Sequence, residues 1–494
     1  MTAFEQGAGR VDVARAITQT VTTVPVGLSF GRTMWPHGDD VPVVRTVTYH
    51  NPGAEPVTLQ LSMQVTGPGG VVVPSGMFQV SATQVTVPAG GQAQVTVTAD
   101  TSVESPDGHY TGRLLATAGS TVVNTPLAVN KEPESYNLTL TFLDRTGALT
   151  GDYMADVLGL DEYRTMMPYE PDGSVTIRLP KGRYGLNGWL FTLEGSGFGL
   201  DLVVQPELSL SRDTTVTFDA RQARPVEMTI PDRTATLADV TVAFGYSTPS
   251  GRYDFSIGAR DFVTIRVGQL GQAAPASQFA SSVAGQWAQP DGQGGFDHSP
   301  YLYTMTEATA GRMPVGAAWH YRKQDLVTVR HEFRGTPPTG THAKRSVLAR
   351  HPVVSGSAPI MRVAVPGERV EYYNDAKGMR WDSVLDFFDE DWNWFGGYLS
   401  SPSMYQAGRH YQERWNGAPY GPAFSDYLPT NGITRQGDTI GVDLPLFSDS
   451  AGHAGDSVPT SARTALYRNG VLVGETGDPG WGMFVVPPGR ASYR

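Results

Sequence analysis

Val57, Leu59, Leu61, Met63 and Val65 alternate strictly with Thr58, Gln60, Ser62 and Gln64. Successive side chains of an extended strand point to opposite faces, so this run has one buried and one wet face. A helix cannot use such a pattern. Asn51-Pro52-Gly53 precedes it as a turn, with proline fixing one dihedral and glycine open to positive φ. Val85 and Val87 then lead through Pro88-Ala89-Gly90-Gly91 to Ala93, Val95, Val97 and Ala99. The result is a compact sandwich of roughly 100 residues.

The same grammar recurs along the chain. Leu138, Leu140 and Phe142 alternate before the turn Asp144-Arg145-Thr146-Gly147, and Val175, Ile177 and Leu179 run into Pro180-Lys181-Gly182-Arg183-Tyr184. Val263-Ile265-Val267, Val327-Val329-His331-Phe333 and Ile440-Val442-Leu444 repeat it, and Asn469-Gly470 closes a type I′ hairpin in "ALYRNGVLVG". Residues 268 to 300, rich in Gly, Ala, Gln and Ser, read as a long surface loop. With 57 Gly and 36 Pro the chain is turn-rich without reaching low-complexity composition. The fold class expected is mainly β: tandem antiparallel β-sandwich modules, of fibronectin type III or immunoglobulin-like kind, with one short N-terminal helix.

That helix lies in "FEQGAGRVDVARAITQTV", where Asp12 can cap and Val13, Ala14 and Ile17 share an apolar face. So short a helix is marginal by itself and needs a partner surface. At the other end, "PPGRASYR" reads as an incoming strand after a turn, which leaves the last sandwich with an unpaired edge.

Bulk charge removes several classes of function. Lys and Arg number 37 against 48 Asp and Glu, a net −11 without any basic run, which excludes a nucleic-acid footprint and disfavours anionic membranes. No apolar stretch is long enough to span a bilayer, and no signal peptide opens the chain. Absence of cysteine excludes disulfides, thiolate metal sites and cysteine nucleophiles. The ten histidines show no ligand spacing, so no structural zinc site is expected, and no cofactor is expected either.

"QGAGRVDVARA" (Gln6 to Ala16) resembles the segment that closes the catalytic domain of subtilisin-like serine peptidases, and the region from Tyr136 through Tyr184, with its strand, proline-glycine corner and aromatic strand start, resembles a carboxypeptidase-regulatory-like or prealbumin-like sandwich. "YQAGRHYQERWNGAPYGP" (Tyr405 to Pro422) and "RQGDTIGVDLPLFSDSAGHAG" (Arg435 to Gly455) are similar to the tail of the large secreted actinobacterial members. The resemblance implies residues 1–22 as a remnant of the end of a catalytic domain and 23–131 as a fibronectin type III-like sandwich. It implies 132–223 as a regulatory-like sandwich, 224–365 as a β-rich module containing the 268–300 loop, and 366–494 as a truncated C-terminal sandwich. The expected role is an accessory region of a secreted subtilisin-like endopeptidase, whose catalytic domain and protein substrates would be its partners. It would be extracellular as part of that parent. The alternative is a stand-alone extracellular binding or adhesion protein with a polysaccharide or protein ligand.

No catalytic residue is expected in this chain. A serine triad needs nucleophile, base and orienting acid, and the family's Asp-Ser/Thr-Gly, His-Gly-Thr and Gly-Thr-Ser-Met-Ala motifs do not occur. His37-Gly38 continues with Asp39 and reads as a loop; Ser62-Met63 and Ser403-Met404 lack the preceding Gly-Thr. Gly455-Asp456-Ser457 is followed by Val458-Pro459 where an oxyanion hole needs glycines, and His331-Glu332 has no second histidine four residues on. One stretch could bind a ligand, "DFFDEDWNWFGGY" (Asp386 to Tyr398). Asp389, Glu390 and Asp391 offer oxygens to calcium, and Trp392, Trp394 and Tyr398 offer flat faces to sugar rings. The plainer reading makes the tryptophans core and the acids a solvated loop. Trp415-Asn416 and Tyr420 read as a loop anchor, the indole N–H bonded within the core.

Overall fold

The computed structural model describes residues 7, 12–194, 197–354, 361–375, 378–423 and 432–494. Gln6 and Ala8 to Val11 of the opening motif lie outside them. The chain divides into two compact units, one of Met1–Leu138 with Thr176–Lys181 and Leu210–Thr214, the other of Thr139–Val175, Gly182–Ser209 and Thr215–Arg494. Nearly all regular structure is strand; among the described residues helix is limited to α1 (Val13–Ala16) and three short 3-10 turns.

The first unit is a sandwich of β1 (Thr22–Val24), β2 (Leu28–Thr33), β3 (Val43–Asn51), β4 (Val57–Thr66), β5 (Phe78–Val80), β6 (Gln84–Val87), β7 (Gly91–Ala99), β8 (Gly108–Ala118) and β9 (Thr121–Lys131). One sheet has the order β1-β3-β7-β5 and the other β2-β9-β8-β4-β6. Leu59 and Leu61 face inward from β4, as the alternation requires, onto Val47, Tyr49, Val97, Tyr110 and Leu114. β8 lies so close to β4 that a Cβ on Gly112 would stand 2.1 Å from the Gln64 carbonyl oxygen. His37 is buried here, with Nδ1 2.8 Å from Asp40 and Nε2 2.8 Å from the Glu132 carbonyl. Val13 and Ile17 of the α1 segment are 66% and 80% exposed.

In the second unit a six-stranded sheet contains β10 (Tyr153–Gly159), β11 (Gly182–Glu194), β12 (Gly197–Leu210) and β15 (Ile265–Gln269) in that order. Its core is shared with β13 (Thr236–Thr248), β16 (Phe279–Ala288) and β17 (Tyr301–Ala310), through Leu202, Phe244, Val283 and Met305. The expected loop over 268–300 is therefore corrected: β16 lies inside it and every one of its ten residues is buried. A strand covered on both faces shows no alternation, and its small Ala, Ser and Gly side chains let neighbours close over it.

β16 belongs to a seven-stranded sheet completed by β14 (Gly251–Ala259), β18 (Leu326–Phe333), β21 (Gly367–Asn374) and β24 (His410–Trp415). Its order is β14-β13-β16-β17-β21-β18-β24. β17 pairs parallel with β21, and β18 parallel with β24. The boundary expected at 365 thus falls within the span of one sheet. A five-stranded sheet, β20-β19-β22-β23-β27, contains β19 (His342–Arg350), β20 (Met361–Val363), β22 (Arg380–Phe388), β23 (Trp394–Leu399) and β27 (Ala454–Ser457).

The last elements are a sheet of β25 (Gly432–Gln436), β26 (Thr439–Asp443) and β30 (Trp481–Val485) and a hairpin of β28 (Thr464–Arg468) and β29 (Val471–Thr476). Asn469 and Gly470 take φ of 50° and 83°, the two positive angles of the expected turn. The closing residues do find a partner: Tyr467 and Arg494 exchange backbone hydrogen bonds, and Asn469 N–H donates to the Ser492 carbonyl.

Candidate functional site

Alternation places charge in the core between the seven- and five-stranded sheets. His331 is in phase with Val329 and Phe333 on β18, Arg345 with Ala343 and Val347 on β19, and Glu371 with Arg369 and Tyr373 on β21. All five polar members are at most 2% exposed. Arg345 grips Glu371 in bidentate fashion, Nε to Oε1 at 2.7 Å and Nη2 to Oε2 at 3.1 Å. Arg369 Nε donates to Oε1 at 2.8 Å, and the Tyr373 hydroxyl donates to Oε2. Burial alone would raise the Glu371 pKa, but Arg345 and Arg369 outweigh it and hold the carboxyl well below its ordinary value.

For His331 burial, then the Arg345 charge, lowers the pKa. The Trp415 indole can only donate, so its bond to His331 Nδ1 at 3.1 Å leaves the ring hydrogen on Nε2, which lies 3.1 Å from Glu371. Trp415 also lies beneath the Arg345 guanidinium, 4.6 Å from the ring centre, and stacks at 3.8 Å on His453, which Asp449 holds by Nδ1 at 2.9 Å. This is the anchoring role expected for Trp415. With its members sealed from solvent, the network fastens two sheets.

Sequence reading passed over this network. The available signal was an ionisable residue interrupting the apolar in-phase positions of each of three strands, His331, Arg345 and Glu371.

The predicted ligand stretch separates into two places. Asp389, Glu390, Asp391 and Trp392 form the β22–β23 hairpin tip, where Asp389 Oδ1 accepts the backbone N–H groups of Asp391 at 3.0 Å and Asn393 at 2.8 Å. Glu390 and Asp391 are exposed. Among the described residues no group of three or more His, Asp or Glu side chains could hold a metal. Trp392 takes φ of 66°, a conformation rare for a bulky residue. Its ring is held by His342, stacked at 4.2 Å, and by Lys344, 4.2 Å above it.

Trp394 and Tyr398 instead open onto two clefts that share Asp456 and Ser457. Trp394, 38% exposed, is oriented by an indole bond to Asp386 Oδ1 at 2.8 Å. It lines a cleft of about 740 Å³ together with Trp481 and Leu444, and with Asp443, Asp456 and Asp478. Among the described residues that line it there is no lysine, arginine or histidine. The adjoining groove, about 480 Å³, is walled by Tyr398, Tyr420, Phe387, Phe395 and Phe447. Asn416, at φ 56°, accepts both tyrosine hydroxyls on Oδ1, at 2.8 and 3.0 Å. Trp481 was not singled out in the sequence, since it lies far from the aromatic run that it joins.

No protein-family model matches the chain. No curated protein matches it either. Among solved structures, the Caenorhabditis elegans MSP family member WR4 is similar over 23% of this chain and 99% of its own, at 7% identity and TM-score 0.17. A PapD-like domain of human CEP192 is similar over 23% and 86%, at 16% identity and TM-score 0.18. The Bacillus anthracis TIE protein is similar over 80% and 74%, at 8% identity and TM-score 0.20. Likenesses this low bear on neither the clefts nor their ligand.

Proposed function

We propose that this chain is the noncatalytic accessory β-module region of a secreted subtilisin-like serine endopeptidase, which it spaces and presents to protein substrates. The reading rests on the sequence resemblance of Gln6 to Ala16 and of the tail, and the observation that carries it is α1. With Val13 and Ile17 66% and 80% exposed, an apolar stripe stands in water, as a closing segment does when the core it docks on is elsewhere. Hydrolysis in that parent is acyl transfer by a triad whose motifs this sequence lacks. Among the described residues no helix is long and apolar enough to cross a membrane.

The test follows peptides of residues 60 to 120 in culture supernatant. A secreted polypeptide much larger than 53.2 kDa that reacts with a fluorophosphonate probe is the expected result. A secreted species of the chain's own mass, inert to the probe, overturns it. The adhesion reading is favoured by one observation, the pair of partly exposed tryptophans, Trp394 and Trp481, in one cleft.

A further inference from the structure

Two tryptophans and three aspartates line the cleft around Asp456, with no basic side chain among the described residues that line it. Asp443 and Trp481 are directly paired on β26 and β30, so strand register fixes one edge of the cleft. Asp456 is exposed on β27, opposite Gly397 of β23, and its Oδ1 accepts the neighbouring Ser457 N–H, at 2.8 Å. A neutral sugar would use the ring faces but has no need of three negative charges. A cation uses both, since an ammonium or guanidinium is drawn to the face of an indole and to carboxylates alike. The adjoining groove differs in chemistry. It is aromatic on most sides and joins the first cleft at Asp456 and Ser457.

We infer that the two clefts together bind one extended polypeptide segment, its lysine or arginine in the Trp394/Trp481 cleft and an apolar side chain two residues along, on the same face of the segment, in the Tyr398/Tyr420 groove. The site is preorganised: Asp386 fixes the Trp394 ring, and Asn416 fixes both tyrosines. Little ordering entropy is then lost on binding. The inference rests on the proposed role only for the source of the segment, a substrate protein. It commits to the ligand class whether or not a peptidase parent exists.

The experiment uses the full chain and a fluorescein-labelled ten-residue peptide of lysine pairs alternating with leucine pairs, which puts lysine and leucine in turn on each face of an extended chain, followed by fluorescence anisotropy. Its counterpart with glutamate for lysine, and cellohexaose as a competitor, serve as controls. The lysine peptide is expected to bind, with affinity falling at least several-fold between low and high salt. Trp481→Ala should weaken it about tenfold, the effect of a desolvated cation on an indole. Asp456→Asn with Asp478→Asn should weaken it similarly, although the chain, losing two of its 48 acidic groups, stays strongly acidic. The asparagine pair keeps side-chain shape, so it decides the matter if the tryptophan variant misfolds. Equal binding of both peptides, displacement by cellohexaose, or unchanged affinity in the asparagine variant overturns the inference. Fluorophosphonate labelling of a larger parent is blind to the cleft, so failure of either proposal is read separately.

Discussion

Glu371 receives two guanidiniums and a phenol, with an imidazole beside it, so each partner removed leaves others buried without a counterpart. Replacing Glu371 by Gln should cost about 3–5 kcal/mol, the range for breaking a buried pair from one side. The double variant Arg345→Met, Glu371→Leu should cost less than the sum of its single changes, as read by denaturant unfolding. The network also sets an acid limit. His331 has its folded pKa below its ordinary 6.5, so below that pH the unfolded chain takes up a proton that the folded chain refuses. Stability is lost as pH falls from about 6.5, and again below the ordinary carboxylate range as Glu371 loses its charge. His331→Gln should flatten the first of these losses and leave the second. Asp239 runs the other way. Burial pushes it up to about 6, so the folded state holds a proton that the unfolded state releases above pH 4, and stability falls as pH rises through that window. Asp239→Asn should therefore gain stability relative to the native chain between pH 4 and 7, with no gain at pH 3.5.

Strands wet on one face were legible as elements, and those buried on both were not. β4 announced itself because Leu59 and Leu61 alternate with Gln60 and Ser62. β16, "FASSVAGQWA", has no wet face and so reads as loop composition. Charge at an in-phase position misleads in the same way, because Arg345 between Ala343 and Val347 reads as solvent-facing until a second sheet covers it. The clefts were half legible: Trp394 and Tyr398 belong to a visible aromatic run, whereas Trp481 reaches them through the pairing of β30 with β26. At the element scale the clearest test is Gly112. An added Cβ would meet backbone, not a side chain that can swing away, so Gly112→Ala should destabilise the first unit by about 3 kcal/mol, the upper end of overpacking costs. Thermal unfolding measures it.

For the whole molecule, module arithmetic from local patterns failed where strands pair in parallel. A hairpin leaves a turn signature, but Tyr301 beside Val370 and Thr328 beside His410 are joined by no local signal. A fragment ending at residue 365 keeps β17 and β18 yet lacks β21, the strand between them. It should show no cooperative melting of the seven-stranded sheet and rapid proteolysis of β18. Retained protection of β18 would contradict this connectivity.

That parallel closure also sets a schedule for synthesis. β18 ends at Phe333 and its outer neighbour β24 ends at Trp415, so at ordinary translation rates its edge waits on the order of ten seconds for a partner. Open strand edges are where nascent chains stick to one another, and inward-pointing charge is a known deterrent. During that wait His331, and then Arg345 and Glu371 once they are made, lack the neighbours that bury them in the finished fold. The same groups that later clamp the sheets keep the unfinished face wettable while it is being made.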